Sequence, residues 1–251
     1  MDRSFLSHKD VIAASRDFVC VRPASYMDEG EAKFMMDLIR TRSGNPDNTN
    51  FVILAPDGKK TLVRGSRSPR MTYGTVEKMV ASMTEIAAQH PGKKSAKVNA
   101  LPAYKDLRLS LDVASCDLRP LVVIYSKDKR RADALAKALG PLAWSDDFVG
   151  RFHYIVESDN SKLDVLTKFP DGTRVAVIHP GEFGLTGKVL ESTGESSSAK
   201  LQKLLTDGLE AYQPEDKNPR THVRNGQRSG KQWETDLPVT GARASERPGN
   251  Q

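Results

Sequence analysis

FVILAPDGKKTLVR, residues 51–64, decides how this chain is read. An apolar run, Phe51 to Ala55, meets Pro56-Asp57-Gly58, and a second extended run follows from Lys59 to Arg64. Proline presets φ, aspartate bonds to the backbone two residues on, and glycine accepts a positive φ, so the stretch predicts a β-hairpin. A segment of helical period comes next, Val76 to Ala88, with Val76, Met79, Val80, Met83, Ile86 and Ala87 on one face. The same order returns later. Arg174–Ile178 reads as a strand, His179-Pro180-Gly181 starts a turn, Lys188–Leu190 resumes the strand, and Leu201–Tyr212 is helical. Methionines at helical spacing in such a segment are core packing and not a ligand box.

Working outward, Ser7 with Asp10 three residues on has the spacing of a capping box, and Val11 to Ser15 predicts a short helix. Phe18–Val21 reads as a strand closed by Pro23; its two faces are both apolar, as in a strand covered on both sides. Glu31–Arg42 carries Ala32, Met35, Met36 and Ile39 at helical spacing and is stopped by Gly44-Asn45-Pro46. Gly65 to Gly74 reads as a loop, and His90-Pro91-Gly92-Lys93-Lys94 marks the domain boundary. Beyond it, Leu101, Tyr104, Leu107, Leu111 and Ala114 trace a helix, and Leu121–Tyr125, the most apolar run, predicts a central buried strand. Ala132, Leu135, Ala136 and Leu139 form a helix ended by Gly140-Pro141. Trp144–Val149 is a short helix or turn, Phe152–Val156 a strand, and Asp159–Leu166 a connection. From Gln213 onward Pro, Gly and Asn dominate without periodicity, a composition too polar to offset the entropy of ordering. Residues 213–251 are therefore expected to be a disordered tail, in which Trp233 is idle, anchors the tail locally or marks a short binding motif.

Composition narrows the chemistry. The 251 residues carry a net charge of +6, with 38% apolar and 28% charged residues, as in a soluble globular protein. Basic residues alternate with acidic ones, as in EDKNPR and KDKRRAD, and the 6% of aromatics do not interleave with them, which weighs against a nucleic-acid partner. No apolar run reaches the ~18 residues of a membrane span. Cys20 and Cys116 are 96 positions apart and the five histidines are scattered, which is neither a disulfide framework nor a zinc pattern. Gly-x-Gly-x-x-Gly, P-loop and Gly-x-Ser-x-Gly motifs are all missing. Asp57 and Asp146-Asp147 are read as turn caps. RGSRSPR, residues 64–70, is a solvated arginine loop, with anion binding or phosphorylation as the competing reading.

The second half runs helix, strand, helix, strand, linker, strand, turn, strand, helix, and in this it resembles the thioredoxin fold: a βαβ half, then a hairpin and a last helix. SHKDVIAASRDFVCV, residues 7–21, and NTNFVILAPDGKKTLVRG, residues 48–65, resemble the strand and the hairpin of that family. The resemblance implies an α/β protein with two tandem three-layer thioredoxin-like domains of mixed parallel and antiparallel sheet. They cover residues 1–90 and 98–212, joined by a linker at 91–97 and followed by the tail. In this family a Cys-x-x-Cys follows the first strand at the N-terminus of the next helix, where free amides and the helix dipole stabilise a thiolate. Here that stretch is Tyr125-Ser126-Lys127-Asp128-Lys129-Arg130, with Ser126 or Asp128 as helix cap and no cysteine. The family's cis-proline before the hairpin also has no counterpart at Thr49-Asn50 or Thr173-Arg174. In the first domain the strand and helix that would carry the cysteines precede Ser7. Either the polypeptide begins upstream of Met1, or a partner strand fills the gap.

No catalytic, cofactor-binding or metal-ligating residue is assigned, and no cofactor is called for. Cys20, on the strand with Phe18, is expected to be a buried structural thiol, and Cys116 an exposed one without a resolving cysteine. The leading functional expectation is a redox-inactive thioredoxin-like interaction protein acting on a protein partner. The alternative is the C-terminal portion of a thiol-disulfide oxidoreductase whose Cys-x-x-Cys lies upstream. A more distant third is an RNA- or anion-binding protein using the basic loop and tail. MDRSFLSHKD lacks a signal-peptide core, so the expected compartment is the cytoplasm if Met1 is the true start and an exported one if a signal precedes it.

Overall fold

The Pro-Asp-Gly turn forms as its chemistry dictates. In the computed structural model, which describes residues 5–23, 29–38, 50–92, 100–167, 169–215 and 218–231, Asp57 Oδ1 accepts the N–H groups of Lys59 (2.8 Å) and Lys60 (3.2 Å). These two bonds hold the carboxyl below the usual carboxylate range. Gly58 takes φ 68°, and the antiparallel strands β1 (Phe51–Leu54) and β2 (Thr61–Ser66) leave the turn. The chain divides into two compact units, the second spanning Lys97–Gln232.

In the first unit the hairpin is joined by α1 (Lys9–Ser15), α2 (Glu29–Leu38), α3 (Pro69–Tyr73) and α4 (Val76–Gln89). Phe5, Val11, Ile53, Met79 and Met83 form its apolar cluster, so the α4 methionines are core residues. His8, not Ser7, caps α1, its Nδ1 accepting from the Asp10 N–H. The expected loop 65–74 contains α3, because Ser68 caps it and Pro69 occupies the first helical position. Phe18–Val21 is not a strand. Val19 and Val21 are 84% and 75% exposed, and an apolar run becomes a strand only where a neighbour accepts its backbone. Among the described residues β1 pairs with β2 alone. The end of the helix predicted to run to Arg42, with its Gly44-Asn45-Pro46 stop, lies outside the described residues.

The second unit is built on a six-stranded mixed sheet. Its strands are β3 (Ala103–Tyr104), β4 (Leu121–Tyr125), β5 (His153–Glu157), β6 (Leu166–Thr167), β7 (Val175–Pro180) and β8 (Gly187–Thr193), in spatial order β3-β5-β4-β7-β8-β6. β4 is parallel to β5 and antiparallel to β7, and β7 is antiparallel to β8. Leu121 to Ile124 are all 0% exposed, as predicted for a central strand. Strand alternation sends their side chains to two clusters. Val122 and Ile124 join Leu135 and Leu139 of α6 (Lys129–Ala143) and Leu201 and Leu205 of α7 (Ser198–Ala211). Leu121 and Val123 join Leu107 and Leu111 of α5 (Leu107–Asp117). Helices thus cover both faces. Gly208 lets α7 approach β7: a Cβ there would stand 2.6 Å from a Val177 methyl.

Several boundaries move for local reasons. α5 begins at Leu107 and not at Leu101, because Asp106 caps it by accepting from the Leu109 N–H. α6 runs through Gly140-Pro141. A proline one turn from the end removes only its own N–H, and the Trp144 N–H closes on Gly140 O (3.3 Å). Trp144–Val149 is a turn, and Asn160–Val165 is a 3-10 turn. Pro170-Asp171-Gly172 repeats the turn triplet, with Gly172 at φ 77° and the Thr173 N–H donated to Pro170 O (3.2 Å). Within the segment expected to lack order, α8 (Pro219–Arg228) is a helix started by Asn218, which caps the N–H groups of Arg220 and Thr221. The second unit therefore extends beyond residue 212; Trp233 lies outside the described residues. Between α7 and α8, the His179 ring stands 5.0 Å from that of Tyr212, its Nδ1 2.7 Å from Pro180 O and its Nε2 3.0 Å from Gln213 O.

Candidate functional site

The stretch expected to correspond to a redox turn lies where β4 ends. Tyr125 closes the strand, Asp128 caps α6, and the chain between them folds back on itself. Ser126 is 5% exposed, its N–H donating to Glu157 O (3.2 Å) and its Oγ accepting from the Asp128 N–H (3.2 Å). Asp128 Oδ1 accepts from the Arg130 N–H (2.9 Å). Both residues the sequence offered as caps thus contribute, Asp128 to the helix and Ser126 to the turn before it.

Around this turn gather Glu157 and Thr173, 5% and 8% exposed. One Glu157 oxygen accepts the N–H groups of Ser158 and Asp159, both at 2.9 Å, and the other faces Lys162 Nζ at 3.6 Å. Its lone pairs are engaged in shaping the loop, so it is not a free base. An open cleft of about 500 Å³ runs beside the turn, lined by Tyr125, Leu163, Phe169, Pro170 and Thr173 among others. Tyr125 and Phe169 meet edge to face at 6.0 Å. Asn160, Asp164 and Asp171 line the cleft as well, so polar groups make up most of its wall around this aromatic pair. The first turn of α6 holds Lys129, Arg130 and Arg131, all exposed.

A second cluster occupies the opposite end of the sheet. His153 Nε2 lies 3.1 Å from Asp117 Oδ2, and its Nδ1 lies 3.4 Å from the Tyr104 hydroxyl. The pair is shielded, with side chains 11% and 19% exposed. One consistent assignment has the carboxylate accepting Nε2–H and the phenol donating to Nδ1. Leu118 takes a left-handed conformation, φ 55° and ψ 50°, to end α5 directly after Asp117. The cluster ties together the ends of α5, β3 and β5. It was invisible in the sequence because its members stand 36 and 49 positions apart.

The cysteines stay separate. Both are exposed, and they form no disulfide with each other. Cys20 is not the buried strand residue expected; it follows α1, where its thiol reaches toward Ser15 O at 3.9 Å. Asp57 caps the hairpin turn, Asp146-Asp147 lie in the turn after α6, and the arginine stretch is split, with Arg64 in β2 and Arg70 in α3. Among the described residues no group of three His, Cys, Asp or Glu side chains has metal-binding geometry, and no helix is long and apolar enough to cross a membrane. Comparison with protein-family models, with curated proteins and with solved structures finds no match.

Proposed function

We propose that the Lys97–Gln232 unit is a thioredoxin-like module that works by holding another protein and not by thiol exchange. The reading is supported by connectivity. β4, α6 and β5 form a βαβ half, and β7, β8 and α7 supply the hairpin and last helix, with β4 between the two halves. What carries the functional part is the start of α6. Position Asp128, where a helix stabilises a nucleophilic thiolate, holds a carboxylate cap, and Arg131 three residues on holds a cation. The cleft by Tyr125 and Phe169 remains as a contact surface. The first unit keeps only a hairpin and helices of the same plan among its described residues.

The test is to measure insulin reduction and to build the missing chemistry. Wild-type protein with dithiothreitol reduces insulin at the buffer rate. The double variant D128C/R131C places thiols at the cap and the third helical residue, forms an internal disulfide on oxidation, and gains insulin-reducing activity. Catalysis by the wild type overturns the non-enzymatic reading. A double variant that folds but keeps both thiols free under oxidant overturns the thioredoxin-like reading.

A further inference from the structure

We infer that α8 is a docking rail for the phosphodiester backbone of a nucleic acid. Arg220, Arg224 and Arg228 recur every fourth residue, which places them on one face at intervals of about 6 Å. All three are exposed, and no carboxylate of the described residues pairs with them. From residue 217 to 231 the sequence carries five Lys or Arg residues and no Asp or Glu. Charge interspersed over the whole chain weighs against such a partner; this element is the exception, because here the positive charge is unmixed and aligned.

The opposite face fixes the rail in place. His222 lies against Phe183 with ring centroids 4.5 Å apart, and Gly226 is buried so close to the same ring that a Cβ there would stand 3.4 Å from it. Phe183 sits in a turn bolted to α5, where Arg108 donates to Gly184 O and the Ser115 hydroxyl stands 2.9 Å from both Gly181 O and Glu182 O. The arginines are thus presented on a helix supported from its other side.

The chemistry of the face selects the partner. Arginine forks match phosphate oxygens bidentately, and a row of them matches a polymer with repeated single charges. Protein interfaces are centred on buried aromatic or apolar anchors, and the arginine face has none; Val223 is the one exposed large apolar residue of α8. A membrane-lying helix needs a broad apolar side, whereas the side opposite the arginines is occupied by the contact with Phe183. Phosphate is the acceptor that remains.

The experiment is fluorescence anisotropy of the full chain with labelled oligouridylate and oligodeoxythymidylate across a salt series. Both strands are expected to bind, since the recognition is of phosphate and not of base or sugar. The slope of log affinity against log salt falls by about 2 in R220Q/R224Q/R228Q, because each phosphate that an arginine neutralises on a single strand contributes about 0.7 to it. Affinity at low salt drops about tenfold or more in the same variant. Because these side chains have no ion-pair partner among the described residues, the variant keeps the wild-type melting temperature. Absence of binding by the wild type, an unchanged salt slope in the variant, or equal competition by polyglutamate overturns the inference, the last by assigning the face to an acidic protein.

Discussion

The two units begin from the same hairpin-plus-helix idea and end with very different cores. In the second, β4 lies in the middle of six strands and feeds apolar side chains to a cluster on each face. In the first, among the described residues, β1 and β2 stand as a pair over one cluster of five buried residues. A two-stranded ribbon is marginal without helices packed on it, and α1 and α4 supply that packing through Val11, Met79 and Met83. The difference teaches that a locally perfect turn sets a hairpin, but the surrounding strands decide how much that hairpin contributes to stability.

Truncating matched isoleucines is the most forceful way to break this comparison. Ile124→Ala in β4 removes a side chain at 0% exposure and should cost about 4 kcal/mol, whereas Ile53→Ala in β1 should cost about 2 kcal/mol. Denaturant melts read both; equal losses would mean the hairpin is packed as tightly as the central strand. Next, Gly208→Ala forces a methyl into Val177 and should lose about 1–3 kcal/mol, with the loss confined to the transition of the second unit. If that variant melts like wild type, α7 is free to move off β7. In the opposite direction, Tyr154→Phe removes a buried hydroxyl that has no hydrogen-bond partner among the described residues and should stabilise the second unit by about 1 kcal/mol. A loss instead would point to a partner for that hydroxyl.

The smallest effect concerns alkaline pH. Burial, with the charge of Glu215 behind it, raises the Tyr212 phenol from 10.0 to about 12. Between those values the unfolded chain releases this proton while the folded chain retains it, so stability is intact below pH 10.0 and declines as pH rises toward 12. The ring is partly exposed, so the decline amounts to ~1 kcal/mol or less. Tyr212→Phe should flatten that part of the stability-against-pH curve, and an unchanged curve would show that Tyr212 does not report on the end of α7.

What the sequence made legible was local. Pro56-Asp57-Gly58 carries its own instructions, and Leu121–Tyr125 is too apolar to lie anywhere but at the centre of a sheet. The turn at Ser126 and Asp128 was placed correctly because a strand end and a helix cap adjoin there. Phe18–Val21 misled because strand propensity says nothing about whether a neighbouring strand exists. α8 was hidden under a polar composition, although Asn218-Pro219 is a helix-start signal. Tyr104 reaches His153 through the pairing of β3 with β5, while Asp117 arrives from the end of α5, a meeting that single-chain periodicity does not encode.

The imidazole of His179 has one more consequence. Its two ring nitrogens face the carbonyl oxygens of Pro180 and Gln213 at 2.7 Å and 3.0 Å, so a single ring meets both. Turning the ring over presents carbon to both acceptors and rescues neither. A glutamine in its place supplies a single donor head and keeps at most one of the two bonds. The segment leading out of α7 is therefore fastened to β7 by a flat side chain that must carry a nitrogen at each of two corners.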